Sequence, residues 1–316
     1  MNDERQRTRQ RRAASVTLLG LLAALLASAA SAAGGTARSG TIVAVGAENE
    51  YANVIGQIGG KYVSVSAIMS NPNTDPHTFE ASPKVAQVVS AAQLVIQNGV
   101  GYDSFMDKIE AASPSSSRKV IDVQKLLGLP DSTSNPHLWY SPKTMPAVAK
   151  AIASDLAALD PAHAAYFKAN ATSFDKSLQP WLNAIAAVKA KYPNAPVATT
   201  EPVADYMLQA AGTDNMTPWT LQADIMNGVD PSPQAVSLQE SFFSKHQVKV
   251  FLYNQQVTDT VTQTFLAAAK KDGIPIVGVY ETMPTPGYTY QSWMLAEVHA
   301  LEKALADKQS TTTLGG

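Results

Sequence analysis

The sequence predicts an α/β protein of two lobes, each a mostly parallel sheet flanked by helices, joined by a long spine helix. Three observations carry this. About 280 of the 316 residues remain after an N-terminal targeting segment, enough for two ordinary cores. Short β-rich runs alternate with helical stretches on both sides of the chain's middle, the pattern of parallel sheets covered on both faces. Between them, roughly Pro142 to Lys191 reads as helix almost throughout, broken near Asp160-Pro161. The expected divisions are a signal peptide over 1–33, an N-terminal lobe over 34–142, a linking helical segment over 143–192 and a C-terminal lobe over 193–316.

The first segment sets the compartment. Arg5, Arg7, Arg9, Arg11 and Arg12 precede an apolar run from Val16 to Ala30 that ends in Ser31-Ala32-Ala33, the layout of a cleavable secretory signal. Its Ala and Ser content makes the run a poor membrane anchor. The chain has no cysteine, hence no disulfide framework, no thiolate metal site and no lipid-accepting cysteine. A soluble exported protein kept near the cell implies a bacterial periplasm. Removing the basic tag from the net charge of −2 leaves about −5, which gives no support to nucleic-acid binding.

In the first lobe, Thr41–Ala47, Tyr62–Met69, Leu94–Gln97 and Lys119–Asp122 read as strands, and Tyr51–Ile58, Pro83–Ala92 and Asp103–Ala111 as helices. In the linking segment, helix from Pro161 to Lys191 would span about 45 Å at ~1.5 Å per residue. Pro180 inside it should kink it. In the second lobe, Val197–Thr200, Val248–Asn254 and Ile274–Val279 read as strands, and Pro233–His246, Asp259–Lys271 and Tyr290–Ala306 as helices. Ser82-Pro83, Ser141-Pro142 and Ser232-Pro233 each resemble a helix start, with serine as cap and proline in the first turn.

Two short motifs, Asp75-Pro76-His77 and Asn135-Pro136-His137, use two of the five histidines. Proline stiffens each loop and aims the imidazole that follows. Neutral imidazole is the commonest protein donor to first-row transition ions, so His77 and His137 are candidate ligands of one metal site. His163, His246 and His299 sit at helix ends or on an amphipathic helix and read as capping or surface groups. Trp139 and Phe79 read as packing residues that hold the two loops.

Thr74-Asp75-Pro76-His77-Thr78-Phe79-Glu80 with Ser82-Pro83, and Asn135-Pro136-His137-Leu138-Trp139 with Ser141-Pro142, resemble the histidine motifs of the metal-specific solute-binding proteins of ABC importers. That resemblance implies capture of zinc, manganese or iron outside the inner membrane and delivery to an ABC permease. It also implies one ligand from the start of the second lobe, here Glu201, and a carboxylate near its last strand, here Glu281. Asp272, Asp259 and Asp230 are alternatives for the latter. Many zinc members have histidine where this chain has Glu201, and many carry a His-rich acidic loop that Ser113–Ser117 and Asp131–Ser134 do not supply. Both departures lean toward manganese, although zinc would still bind under the Irving–Williams order.

The chemistry of these positions agrees with the resemblance. Strand ends of a parallel sheet are where open α/β folds bind ligands. Two neutral imidazoles and two carboxylates carry −2, which neutralises a divalent ion, and a buried ion needs that compensation. The expected protein is a monomeric binder that holds Mn2+ or Zn2+, or Fe2+, as cargo, and not an enzyme. The rival readings are a metal-dependent hydrolase, for which neither His-Glu-x-x-His nor Gly-x-Ser-x-Gly is present, and a binder of an organic solute on the same architecture.

Overall fold

The computed structural model describes residues 40–71, 73, 76–284 and 286–315. The predicted signal peptide and Asp75 of the first motif lie outside the described residues. One compact body runs from Ile42 onward and contains two parallel four-stranded sheets.

The first sheet comprises β1 (Ile42–Glu48), β2 (Val63–Met69), β3 (Leu94–Gln97) and β4 (Lys119–Asp122) in the order β2-β1-β3-β4. β1 runs almost directly into α1 (Asn49–Gly59), which Gly46 permits, since a Cβ there would collide with the backbone of Ala52. Helix α1 buries Tyr51, Val54, Ile55 and Ile58, the i, i+3, i+4, i+7 stripe of an amphipathic helix. α2 (Pro83–Ser90) opens as expected, with Ser82 Oγ accepting from Val85 N. α3 (Phe105–Ala112) and the single-turn α4 (Val123–Leu126) complete the lobe.

The second sheet comprises β5 (Pro196–Thr199), β6 (Asp214–Asn215), β7 (Val250–Asn254) and β8 (Ile276–Val279) in the order β6-β5-β7-β8. Both sheets therefore reverse strand order beside their first strand, and ligands of open α/β sheets bind outside the carboxyl ends at such points.

The linking segment departs from the single long helix expected after Pro161. α5 (Thr144–Leu159) turns through Pro161–His163 and folds back along α6 (Ala164–Ser177), and α7 (Gln179–Lys191) follows after a break at Leu178. The break has a local cause: Pro180 has no N–H for the Lys176 carbonyl, and Leu178 N–H instead splits its bond between Phe174 O and Asp175 O. Ser141-Pro142 also differs from the expectation, because it forms a turn and α5 begins only at Thr144. Past β5 lie α8 (Asp205–Ala210), α9 (Trp219–Met226), α10 (Pro233–Ser244), α11 (Thr260–Lys271) and the C-terminal α12 (Tyr290–Asp307).

The largest hydrophobic cluster does not stop at either lobe. It runs from Ile42 and Ile55 of the first through Val148, Phe174 and Trp181 of the linking helices to Val250, Tyr290 and Trp293 of the second. Each such fully buried side chain contributes ~1.5–3 kcal/mol.

Candidate metal centre

His77 lies in a 3-10 turn, Pro76–Thr78, beyond the carboxyl end of β2, and His137 lies just before another, Leu138–Tyr140. Glu201 follows β5 and Glu281 follows β8. Glu201 and Glu281 thus follow strand ends, where ligands are expected, and His77 and His137 come from loops of the first lobe.

The structure brings three of them together. Nε2 of His77 and Nε2 of His137 lie 3.1 and 3.2 Å from Glu281 Oε2, and ligand atoms of these three residues all fall within 4.8 Å of one another. Glu201 stands one residue further out, linked through Asn254, whose Nδ2 donates to Glu201 Oε2 and, at 2.7 Å, to Glu281 Oε1. His137, Glu201 and Glu281 are buried, and His77 keeps a partly exposed face. The alternatives to Glu281 are elsewhere: Asp259 caps α11 by accepting from Thr262 N, Asp272 ends the same helix, and Asp230 is exposed.

Hydrogen bonds fix the protonation pattern. Asn135 Oδ1 accepts from His137 N and lies 2.8 Å from His137 Nδ1, and an amide oxygen has only lone pairs. His137 therefore carries its proton on Nδ1 and turns the Nε2 lone pair toward Glu281 Oε2. Two facing lone pairs are stable only with a cation or a proton between them, which is the fit expected of a metal-binding donor set.

Burial raises the Glu281 carboxyl, but hydrogen bonds and charge from His137 and His77 outweigh it and hold the group below the usual carboxylate range. Burial lowers the His137 imidazole, against the opposing pull of Glu281. Glu281 is thus the ionised partner, and a proton or a cation belongs between its Oε2 and the His137 Nε2. Behind it, burial drives Glu48 and Glu50 well above their ordinary range, and Asp103 is pushed up to about 6 against the amide bonds it accepts from Asn98 and Gly99. Glu48 and Glu50, held toward the neutral form beside the ionised Glu281, leave the charge where the imidazoles converge.

Several supporting groups escaped the sequence reading. Tyr102 donates to Glu281 Oε2 at 3.0 Å. It is presented by a loop in which Gly99, Val100 and Gly101 all have positive φ, and Val100 at φ 54° carries a strain of ~1–3 kcal/mol that a β-branched residue accepts only when its surroundings impose it. Asn98 Nδ2 donates to Pro136 O at 2.8 Å and steadies the His137 loop. Asn49 exchanges hydrogen bonds with the backbone of Met283, tying the end of β1 to the Glu281 loop. Asn254, as the last residue of β7, was findable by the strand-end rule; Tyr102 gave no signal. Trp139 is fully buried with its ring 5.5 Å from that of His137, and Phe79 packs on Phe105, both as expected.

His163 pairs with Asp160 and stacks on Tyr62, His246 lies in the turn just past α10 and His299 is exposed on α12, all away from this cluster. The cleft beside the centre, lined by Ile68, Met69, Pro76, Phe79 and Thr282, holds about 240 Å3. That falls short of the ~300–1,000 Å3 usual for organic ligands. Among the described residues no helix is long and apolar enough to cross a membrane.

The chain matches the family model of ZnuA, zinc-uptake complex component A periplasmic, over residues 45–304. It is 26% identical to the manganese-binding lipoprotein MntA of Bacillus subtilis (strain 168) over 42% of this chain and 44% of that protein, so the match spans less than half of that relative. It is 24% identical to the MntA of Halalkalibacterium halodurans over 72% of this chain and 74% of that one. Among solved structures, ZnuA is 20% identical, with 84% of this chain and 100% of that chain covered and a TM-score of 0.69. FpvC from Pseudomonas aeruginosa in complex with Mn2+ is 21% identical, with 85% and 100% covered and a TM-score of 0.68. The two structures share the fold, and the family match spans both sheets and the helices between them: the chain belongs to the family of zinc-uptake complex component A, periplasmic.

Proposed function

We propose that this protein captures a divalent transition metal ion, manganese or zinc with ferrous iron as a further candidate, outside the inner membrane and delivers it to an ABC permease. The observation that carries this is the convergence of two imidazole nitrogens on one ionised, buried carboxylate. His77 and His137 from the first lobe and Glu201 and Glu281 from the second are the proposed ligands. Their −2 charge offsets a divalent ion, and cargo so held cross-links the lobes. The role we propose is capture and not catalysis, which agrees with membership of a family of metal-uptake components.

The proposed setting is the periplasm, reached through a cleavable signal over 1–33 and without a lipid anchor. The protein acts as a monomer, with lobes over 34–142 and 193–316 and the linking helices over 143–192. A core continuous through those helices limits closure to a small rocking or loop ordering. Elemental analysis of protein taken directly from the periplasm tests the reading. One transition-metal ion per chain is expected, and none after gentle purification overturns it.

A further inference from the structure

The two second-lobe carboxylates share one donor, and that donor limits how many oxygens each can offer. Asn254 is fully buried at the end of β7. Its amide orientation is set from behind: Oδ1 accepts from Gln256 N at 3.0 Å, so the NH2 group faces the carboxylates. Its own backbone N–H donates to Thr200 Oγ1 at 3.0 Å, next to Glu201, which anchors the residue at both ends. From this fixed position Nδ2 donates to Glu281 Oε1 at 2.7 Å and to Glu201 Oε2. Both amide hydrogens are thereby used. Glu281 Oε2 faces His77 and His137 and also accepts from Tyr102 OH at 3.0 Å, so it keeps one further lone pair for an ion.

We propose that Asn254 is a specificity-determining residue: by engaging one oxygen of each glutamate it keeps both monodentate and sets a four-coordinate site that favours zinc over manganese. The inference rests on the metal-capture reading above. Two nitrogens and two single oxygens make the tetrahedral set that Zn2+ accepts without penalty, whereas Mn2+ seeks a count nearer six. Reaching six through bidentate glutamates would break charge-assisted bonds among buried groups. Reaching it through water is opposed on three sides by the burial of His137, Glu201 and Glu281, which leaves only the partly exposed His77 side. Asn254 acts through the carboxylates and does not itself touch the ion.

The test loads the wild type and Asn254→Ala separately with Co2+, Zn2+ and Mn2+. Co2+ reports coordination number directly, because four-coordinate complexes absorb strongly in the visible and six-coordinate ones weakly. Wild type is expected to give the intense four-coordinate spectrum. Asn254→Ala is expected to give weaker bands and to lose about tenfold or more of the zinc-over-manganese preference in competition titrations, the usual scale for a group that orients a ligand. A weak six-coordinate spectrum from the wild type overturns the inference, and that measurement needs no variant to fold. An unchanged spectrum and preference in Asn254→Ala also overturns it. If the wild type binds none of the three ions, the capture reading itself fails; if it binds them with the wrong count, only the role of Asn254 fails.

Discussion

Replacing Asn135 by alanine probes how much of the metal affinity lies outside the ligands. The side chain accepts twice from His137, at the backbone N and at Nδ1, and donates to Pro202 O at 2.8 Å in the loop that leads from Glu201. Its carbonyl also accepts from Tyr206 OH, which leaves the backbone tethered in the variant. With His137 fully buried, truncation strands the Nδ1–H without water to replace the lost acceptor. An orphaned buried donor costs ~1–3 kcal/mol, and the ring escapes that cost by rotating or changing tautomer, either of which misdirects Nε2. At ~1.4 kcal/mol per decade, the expected loss is about 10- to 100-fold in metal affinity. Asn135→Asp keeps the acceptor for His137 but loses the donation to Pro202 O, and should retain more affinity than the alanine variant. Competition against a chelating indicator measures all three proteins. Equal affinity for wild type and Asn135→Ala, or an aspartate variant as weak as the alanine one, refutes the reasoning.

His77→Ala and His137→Ala should each lower affinity by more than about 100-fold in calorimetric titration, since each removes a nitrogen donor; a wild-type isotherm from either sinks the site assignment. Because burial lowers the His137 imidazole, protons compete for Nε2 only at a pH below the ordinary ~6.5, so metal should stay bound through that value and be released below it. Release already complete at pH 7, followed with an indicator dye, contradicts this. Glu297, fully buried on α12 with its carboxyl pushed up to about 8 by desolvation, binds a proton in the folded state that it lacks when unfolded near neutrality. Its contribution to stability is therefore full below about pH 4.5 and falls by a few kcal/mol as pH rises to about 8. Thermal melts of Glu297→Gln should show a flatter dependence over that window than wild type, and parallel curves would exclude the effect.

Leu94–Gln97 was legible because a buried parallel strand is written as an apolar run, and Lys119–Asp122, a half-exposed edge strand, also has the ends that the sequence suggests. β6, with only Asp214 and Asn215, carries no such run, and α9 hides among turn-like neighbours. Ser141-Pro142 misled because a cap motif specifies a turn of helix only if the following residues continue it. At the centre, His77 and His137 are visible through their prolines, and Glu201 and Glu281 only through family resemblance. Asn254 could be placed at a strand end but its role could not, and Tyr102 and the bonding partners of Asn135 gave no signal, because which amide faces which carboxylate depends on contacts between residues up to 179 positions apart.

The hydrophobic cluster that passes through α5, α6, α7 and α12 also bears on how the molecule comes apart. Two lobes with separate interiors could melt one after the other, but a shared interior makes them a single cooperative unit. An ion held between the two sheets then protects every part of the body at once, by the mass-action stabilisation that any ligand confers on the state it binds. Depletion of metal should consequently expose the whole chain, and not one lobe, to proteolysis, so abundance of the protein would itself report how much cargo is at hand.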